Sequence, residues 1–273
     1  MPIAPKRPGT MKPADAVGTL NLLVYGHTGT GKTHFIGTAA KDPYFGKILL
    51  LCPDPGALTL AFDEDANKNI EIAPIKSLAD IDAWYEYLKV ENPKSQEFQT
   101  LAIDGFTDVA ELALQEALAD IHEKDSNRDP DQPGIDHWNR VAINVRRCIR
   151  NFRDLPLTFI ATALAKDTYD KEGAMYTTPS ITGKLAAELG AYVDIIGYLY
   201  AETDKETKLP VRKLRTTRTD KIQAKDRTRR LPAVIENPSL PDILNRIRTG
   251  PEQAGVAAAD LVIKQKRVNV PSK

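Results

Sequence analysis

The sequence predicts an α/β protein with a mostly parallel sheet flanked by helices. Three observations support this prediction. Apolar runs typical of strands alternate along the chain with segments of helical periodicity. The run at 47–52 is almost wholly apolar and ends at Pro-Asp-Pro-Gly, as expected of a strand buried on both faces. A glycine-rich loop follows the first apolar run and precedes a predicted helix, which is the context of a phosphate-binding loop.

The predicted elements follow one another in this order. Strands are expected at 19–25, 47–52, 100–104, 157–163, 193–201 and 211–217. Helices are expected at 34–40, 77–90, 107–122, 136–154, 182–189 and 240–247. Two polar stretches, 123–134 and 165–179, are predicted to be long loops. The alternation of strands and helices favours the parallel α/β class over separate all-α and all-β units.

Composition limits the classes of protein. The 273 residues are 42% hydrophobic and 27% charged with a formal net charge of zero, so the chain is typical of globular proteins. No apolar run approaches the roughly 18 residues of a membrane span, and the first residues lack the apolar core of a signal peptide. We therefore expect a cytoplasmic protein with no membrane partner.

The glycine-rich loop carries the clearest chemistry. Its three glycines allow successive N–H groups to point at phosphate oxygens, and the following helix presents its positive dipole end to the same oxygens. Lys32 is expected to reach the β- and γ-phosphates of ATP, and the Thr33 hydroxyl to bind Mg²⁺. The predicted ATP-binding residues are Gly26, His27, Thr28, Gly29, Thr30, Gly31, Lys32 and Thr33.

Two carboxylates and a threonine complete the predicted chemistry. Asp104 follows an apolar strand and is the expected Walker B residue, which holds Mg²⁺ through water. Hydrolysis also needs a group that orients the attacking water. Gly105 follows Asp104 where AAA-type ATPases have a glutamate, whereas RecA-type ATPases have the carboxylate just past the second strand, where this sequence has Asp54; the alternative is that Asp54 only forms a turn. Thr162 either senses the γ-phosphate or ends its strand.

Positive charge is concentrated in one segment near the C-terminal end. Between residues 205 and 230 there are eleven Lys and Arg against three Asp and Glu, a local excess that the neutral total conceals. We call residues 205–230 the basic segment.

The C-terminal half of the chain resembles a known family. The string SITGKLAAELGAYVDIIGYLYAE is followed by RKLRTTRTD and then by AKDR. Together with the phosphate-binding loop and Asp104, this order resembles the bacteriophage RecA-like P-loop ATPases of the Sak type, which are single-strand annealing proteins that act beside a single-strand-binding protein. The resemblance extends from about residue 19 to residue 244. It departs from the pattern at Cys-Pro-Asp-Pro-Gly, where relatives usually have an Asp-x-Glu-Gly type of sequence.

The resemblance implies a domain plan and a set of partners. It implies a RecA-like ATPase domain at 18–249, outside which lie a tail at 250–273 and an arm at 1–17 that its Pro, Lys and Gly content predicts to be flexible. It also implies a DNA-recombination ATPase that binds single-stranded DNA and assembles into a homo-oligomeric ring or filament. Lys225 and Arg227 of AKDR match the cations that reach a neighbouring subunit's γ-phosphate, and the alternative is a solvated basic hairpin.

In the same families two loops line the path of DNA. Here they correspond to 123–134, which is acidic, and to 166–179, which combines Lys166 and Lys171 with Tyr169 and Tyr176. Two other functions remain open on sequence grounds. One is a small-molecule P-loop kinase with the basic segment as a lid, and the other is a nucleotide-gated scaffold or loader with weak hydrolysis.

Overall fold

The structure is a computed structural model that describes residues 19–54, 56–89, 97–127, 129, 131–169, 173–181 and 185–250. The arm expected at 1–17 lies outside the described residues, as does the tail expected at 250–273 except for Gly250. The described helices and strands follow the predicted alternation closely.

The strands are β1 (Asn21–Gly26), β2 (Ile48–Cys52), β3 (Ile70–Pro74), β4 (Thr100–Asp104), β5 (Thr158–Tyr169), β6 (Met175–Pro179), β7 (Ile195–Thr203), β8 (Pro210–Arg215), β9 (Lys225–Asp226) and β10 (Val234–Glu236). The helices are α1 (Lys32–Gly37), α2 (Glu64–Asn69), α3 (Leu78–Leu88), α4 (Phe106–Lys124), α5 (Ile135–Arg153), α6 (Leu185–Tyr192) and α7 (Leu240–Thr249). Short 3₁₀ helices occupy Thr38–Lys41 and Gly56–Leu60.

One sheet organises the described chain. Its strand order is β10-β8-β7-β1-β5-β4-β2-β3, with β6 paired to β5 and β9 paired to β7. The strands from β3 to β7 along this order are parallel, whereas β8, β10, β6 and β9 pair antiparallel to their neighbours. The predicted fold class is confirmed: a mostly parallel sheet flanked by helices, with the core of a P-loop NTPase and antiparallel basic strands near its C-terminal end.

The sheet separates two apolar cores because successive strand residues point to opposite faces. In β4, Leu101 and Ile103 enter the core beneath α3, α4 and α5, whereas Ala102 enters the core beneath α1 and α7. All five residues of β4 are buried, as expected of a strand covered on both faces. Among the described residues, none of the helices combines the length and apolar character that a membrane crossing requires.

The prediction of a loop at 165–179 is wrong. β5 continues to Tyr169 and pairs antiparallel with β6, so the two strands form a hairpin, the β5–β6 hairpin, that extends beyond the carboxyl end of the parallel sheet. Threonine and tyrosine are frequent in both strands, and these residues favour extended backbone. The Thr177 hydroxyl also donates to Asp167 Oδ1 at 2.7 Å across the two strands. A polar composition therefore concealed two paired strands, of which the second has two buried residues.

Candidate nucleotide site

The glycine-rich loop connects β1 to α1, and its positions require glycine for different structural reasons. Gly29 and Gly31 have φ angles of +80° and +96°, in the left-handed region that other residues rarely adopt. Gly26 has a different reason, because a Cβ atom there would lie 2.2 Å from the carbonyl oxygen of Leu199 on β7. The loop therefore turns sharply while its first residue stays in close contact with the neighbouring strand.

Lys32 is held inside this loop. Its Nζ donates to the carbonyl oxygens of Gly26 and His27, each at 3.0 Å. Burial lowers the pKa of Lys32, and the nearby charges of Asp104 and Asp108 oppose that shift. The side chain thus holds a partly desolvated cation against the backbone of the loop.

Asp104 connects the loop to the centre of the sheet. The Thr33 hydroxyl donates to Asp104 Oδ2 at 2.5 Å, and the Thr162 hydroxyl donates to Asp104 Oδ1 at 2.5 Å. The Thr162 oxygen also accepts from the N–H of Gly105 at 3.0 Å. Pairing of β4 with β5 sets Asp104 opposite Thr162, so parallel register alone brings these two residues together. The structure therefore places three predicted site residues in one hydrogen-bonded group.

Thr33 and Asp104 suit a magnesium ion. Mg²⁺ prefers hard oxygen ligands and is usually held by one or two carboxylates together with substrate phosphates. A hydroxyl and a carboxylate oxygen already in contact, next to a phosphate-binding loop, provide such a donor set.

Two further carboxylates lie at the same edge of the sheet. Asp54 follows β2 and is exposed, and its carbonyl oxygen accepts from the Cys52 thiol at 2.6 Å. Asp108 lies in the first turn of α4. Burial raises the pKa of Asp108, and the charge of Asp54 raises it further. Burial likewise raises the pKa of Cys52 to about 11, with added contributions from Asp104 and Asp54.

Sequence reasoning missed Asp108. The signal that could have found it is its spacing, because a residue four positions after Asp104 lies one helical turn into α4, close to the end of β4.

A family model described as AAA domain matches residues 19–228, which is more than half of the chain. The chain belongs to the AAA domain family. The match includes the phosphate-binding loop, Asp104 and the basic segment up to Thr228. No curated protein matches this sequence. Among solved structures, the crystal structure of the RadB recombinase is similar at 14% identity and a TM-score of 0.40, covering 72% of this chain and 80% of that chain. A likeness of that size carries no functional argument.

The remaining loop residues of this AAA domain lie at its surface. Thr28 is exposed, and the Thr30 hydroxyl donates to the His27 carbonyl at 2.8 Å, which closes the turn. The His27 ring lies 3.5 Å from a carboxylate oxygen of Asp167, a residue of the β5–β6 hairpin. The hairpin therefore reaches the phosphate-binding loop.

Lys225 and Arg227 lie at the end of the strands opposite to the phosphate-binding loop. Lys225 Nζ donates to the carbonyl oxygens of Gly190 and Val193, and Arg227 pairs with Asp194 at 2.8 Å. Burial lowers the pKa of Lys225, and Arg227 lowers it further. Because β9 pairs with the first residues of β7, both cations lie at the amino end of the parallel strands, whereas the phosphate-binding loop lies at the carboxyl end.

The distance between the two ends follows from the register. Leu22 of β1 pairs with Ile195, the residue opposite Asp226, and Gly26 lies four residues farther along β1. Four strand residues span about 13 Å. In this AAA domain the two cations are therefore well separated from the phosphate-binding loop of their own chain.

Arg212 of β8 lies at the loop instead. A Cβ atom built on Gly31 would lie 2.6 Å from Arg212 Nε. Sequence reasoning treated Arg212 as one of many cations in the basic segment, and no local signal distinguished it. Only the pairing of β8 with β7, which is itself next to β1, brings it to the phosphate-binding loop.

Proposed function

We propose that this AAA domain is a magnesium-dependent ATPase of the RecA-like Sak type that binds single-stranded DNA, forms homo-oligomers and promotes strand annealing or pairing. The observation that carries the ATPase part is the hydrogen-bonded group of Thr33, Asp104 and Thr162 directly behind Lys32. A flexible glycine-rich turn without a nucleotide would have no need for a buried carboxylate oriented by two hydroxyls.

Binding of ATP would use the loop and the cation within it. The N–H groups from Gly29 to Thr33 and the start of α1 favour negatively charged oxygens. Lys32 would exchange its two carbonyl acceptors for β- and γ-phosphate oxygens, which are stronger partners because they are charged. Thr33 and Asp104 would hold Mg²⁺, which neutralises charge on the phosphates.

Hydrolysis would use Asp54 to orient the water. In this proposal the Asp54 carboxylate would accept a proton from the water as the water oxygen bonds to the γ-phosphorus, and the bond from that phosphorus to the β,γ-bridging oxygen would break to give ADP and inorganic phosphate. Thr162 would keep Asp104 in place through the hydrogen bond to Oδ1. Its role would be to position Asp104, without a direct contact to the phosphate. The Asp54 assignment rests on its exposed position just past β2, which is where RecA-type ATPases have this carboxylate.

Binding of single-stranded DNA would involve the β5–β6 hairpin and the basic segment. Lys166 and Tyr169 are exposed on the hairpin, with 71% of Tyr169 accessible, and Tyr176 is half-buried on the paired strand. Cations for the backbone and aromatic rings for the bases are the combination that single strands favour. Lys171 lies outside the described residues. A single-strand-binding protein is the further partner that the resemblance implies.

Oligomerisation would bring Lys225 and Arg227 to a neighbour's nucleotide. Their position about 13 Å from the loop of their own chain supports action in trans, because a residue so placed is useless to its own site. Arg227 is 53% exposed despite its pairing with Asp194, so it remains accessible to a second subunit.

The first experiment measures ATP turnover with and without single-stranded DNA, together with the oligomeric size in ADP, in ATP and without nucleotide. The proposal expects DNA to stimulate turnover and ATP to increase the size. Lys32→Ala is the matched control, and it should lose ATP binding without unfolding because this half-buried loop residue belongs to neither apolar core. A kinase would ignore DNA and need a phosphate acceptor, and a scaffold would change size with negligible turnover; either result overturns the proposal.

The second experiment tests action in trans by mixing two inactive variants. Arg227→Ala should bind ATP normally yet lose DNA-stimulated turnover, since Lys32 and the loop are intact. Mixed with Lys32→Ala protein, it can form a junction in which an intact loop meets an intact Arg227. Partial activity should return on mixing. No recovery, with both variants folded, would show that Arg227 does not act across the interface.

A further inference from the structure

A cavity of about 450 Å³ lies beside the phosphate-binding loop, between α1 and the segment that leads into α7. Its lining includes His34, Lys41, Arg212, Asn237, Pro238 and Pro241. His34 directly follows Thr33, so the cavity begins where the loop ends. The volume lies within the range of small-ligand sites, which begin at roughly 300 Å³.

Arg212 stands between this cavity and the loop. Its guanidinium lies where a Cβ atom on Gly31 would meet it, and Arg212 also lines the cavity. Among the described residues no carboxylate lies within ion-pair distance of it, whereas the adjacent Lys213 pairs with both Glu202 and Glu236. The fork of N–H donors on Arg212 is therefore available to an external anion.

The two sides of the cavity differ in chemistry. The side next to the loop carries the charge of Arg212. Burial lowers the pKa of His34, and Arg212 and then Lys41 lower it further, with Asp63 opposing them, which disfavours a cationic imidazole there. Lys41 itself pairs with Asp63 at 3.2 Å. The far side offers the pyrrolidine rings of Pro238 and Pro241, which are apolar surfaces suited to a planar ring.

We propose that this cavity holds the nucleoside of the bound triphosphate and that Arg212, from the same chain, binds the phosphate next to the ribose. This inference rests on the proposed ATPase function. Phosphates held from Gly26 to Thr33 put the nucleoside end of the ligand at the start of α1, where His34 opens into the cavity. An arginine fork at this junction matches the geometry of a phosphate oxygen pair.

The test compares ATP with inorganic tripolyphosphate, which has the three phosphates and no nucleoside. Calorimetry on the full chain would measure both ligands against wild type, Arg212→Ala and Pro241→Phe. The second variant fills the cavity with a ring at a position in the first turn of α7, where a helix accepts residues other than proline. Arg150→Ala is the matched control, because Arg150 is an exposed arginine on α5, across the sheet.

Wild type should bind ATP more tightly than tripolyphosphate. Arg212→Ala should weaken both ligands by roughly tenfold or more, the value of a hydrogen bond to a charged group. Pro241→Phe should weaken ATP towards the affinity of tripolyphosphate and leave tripolyphosphate unchanged. Arg150→Ala should change neither affinity.

Two results would overturn this inference and leave the proposed ATPase function standing. One is unchanged ATP binding in both variants, and the other is an equal loss of both ligands in Pro241→Phe. Binding of neither ligand by wild type would instead overturn the proposed ATPase, and this inference with it. Arg212 is exposed and pairs with no described carboxylate, so Arg212→Ala should fold normally and keep the test decisive if Pro241→Phe does not fold.

Discussion

The replacement of Thr162 by valine should reveal how much the fold and the site depend on one buried hydroxyl. Valine has nearly the shape of threonine but lacks the oxygen. Thr162 is fully buried, and its hydroxyl donates to Asp104 Oδ1 at 2.5 Å and accepts from the N–H of Gly105 at 3.0 Å. The variant therefore removes two hydrogen bonds without opening a cavity.

The free energy of unfolding should fall by up to about 4 kcal/mol. A hydrogen bond to a charged group contributes about 2 kcal/mol, and loss of the acceptor of the Gly105 N–H, at a half-buried residue, costs up to about as much. Thr162→Ser keeps the hydroxyl and loses one methyl group, which costs about 1 kcal/mol. The two variants should therefore differ by up to about 3 kcal/mol.

The assay is urea unfolding followed by circular dichroism, with ATP turnover measured on the same preparations. If the slope with urea is unchanged, the shift in midpoint reports the change in stability directly. Turnover should fall in Thr162→Val, since Asp104 loses the partner that orients it, and should largely persist in Thr162→Ser. Equal stability of the valine and serine variants would refute the importance of the hydroxyl.

Four other outcomes are expected. Asp108→Asn should raise stability at pH 7, because burial raises the Asp108 pKa and makes its ionised form unfavourable in the fold; urea midpoints should show this gain vanish as the pH falls below the ordinary Asp pKa of about 3.9. Asp54→Asn should bind ATP normally and hydrolyse it more slowly, and equal turnover would remove Asp54 from the mechanism. In thermal unfolding, Gly26→Ala should lower the midpoint more than Gly29→Ala, since a Cβ at Gly26 meets a backbone oxygen and one at Gly29 meets open space, leaving only about 1 kcal/mol of strain. Affinity for single-stranded DNA should fall steeply with salt, and titrations with no salt slope would count against the basic segment as a DNA contact.

The fold was largely predictable because its strong signals are local. Strands buried on both faces appear as apolar runs, and β2 and β4 have no exposed residue. β3 was missed because its residues alternate only weakly in burial at the edge of the sheet. The β5–β6 hairpin was missed because its side chains are mostly polar, so that its composition resembles that of a loop.

The only site residues that could be predicted are those that belong to a sequence motif or end a recognisable strand. The residues from Gly26 to Thr33 are consecutive, and Asp104 ends a recognisable strand. Asp108 was missed although its spacing from Asp104 places it in the first turn of α4, whereas Arg212 gave no such signal, because its position depends on where a distant element packs. Arg212 reaches Gly31 only because β8 pairs antiparallel with β7, which lies beside β1. Pairing of that kind is a property of the tertiary fold.

The position of Lys225 and Arg227 restricts the symmetry of any assembly that uses them. The cations lie at the amino end of the parallel strands and the phosphate-binding loop at the carboxyl end, so the two halves of a shared site occupy different surfaces of one subunit. In a two-fold dimer, both subunits use the same surface for the contact. Completing both sites would require that one surface to contain both the cations and the phosphate-binding loop, which lie at opposite ends of the strands. A head-to-tail contact needs only one end from each. Repetition of that contact gives either a closed ring or an open helix, and in the open helix the terminal subunit has a loop that no neighbour completes.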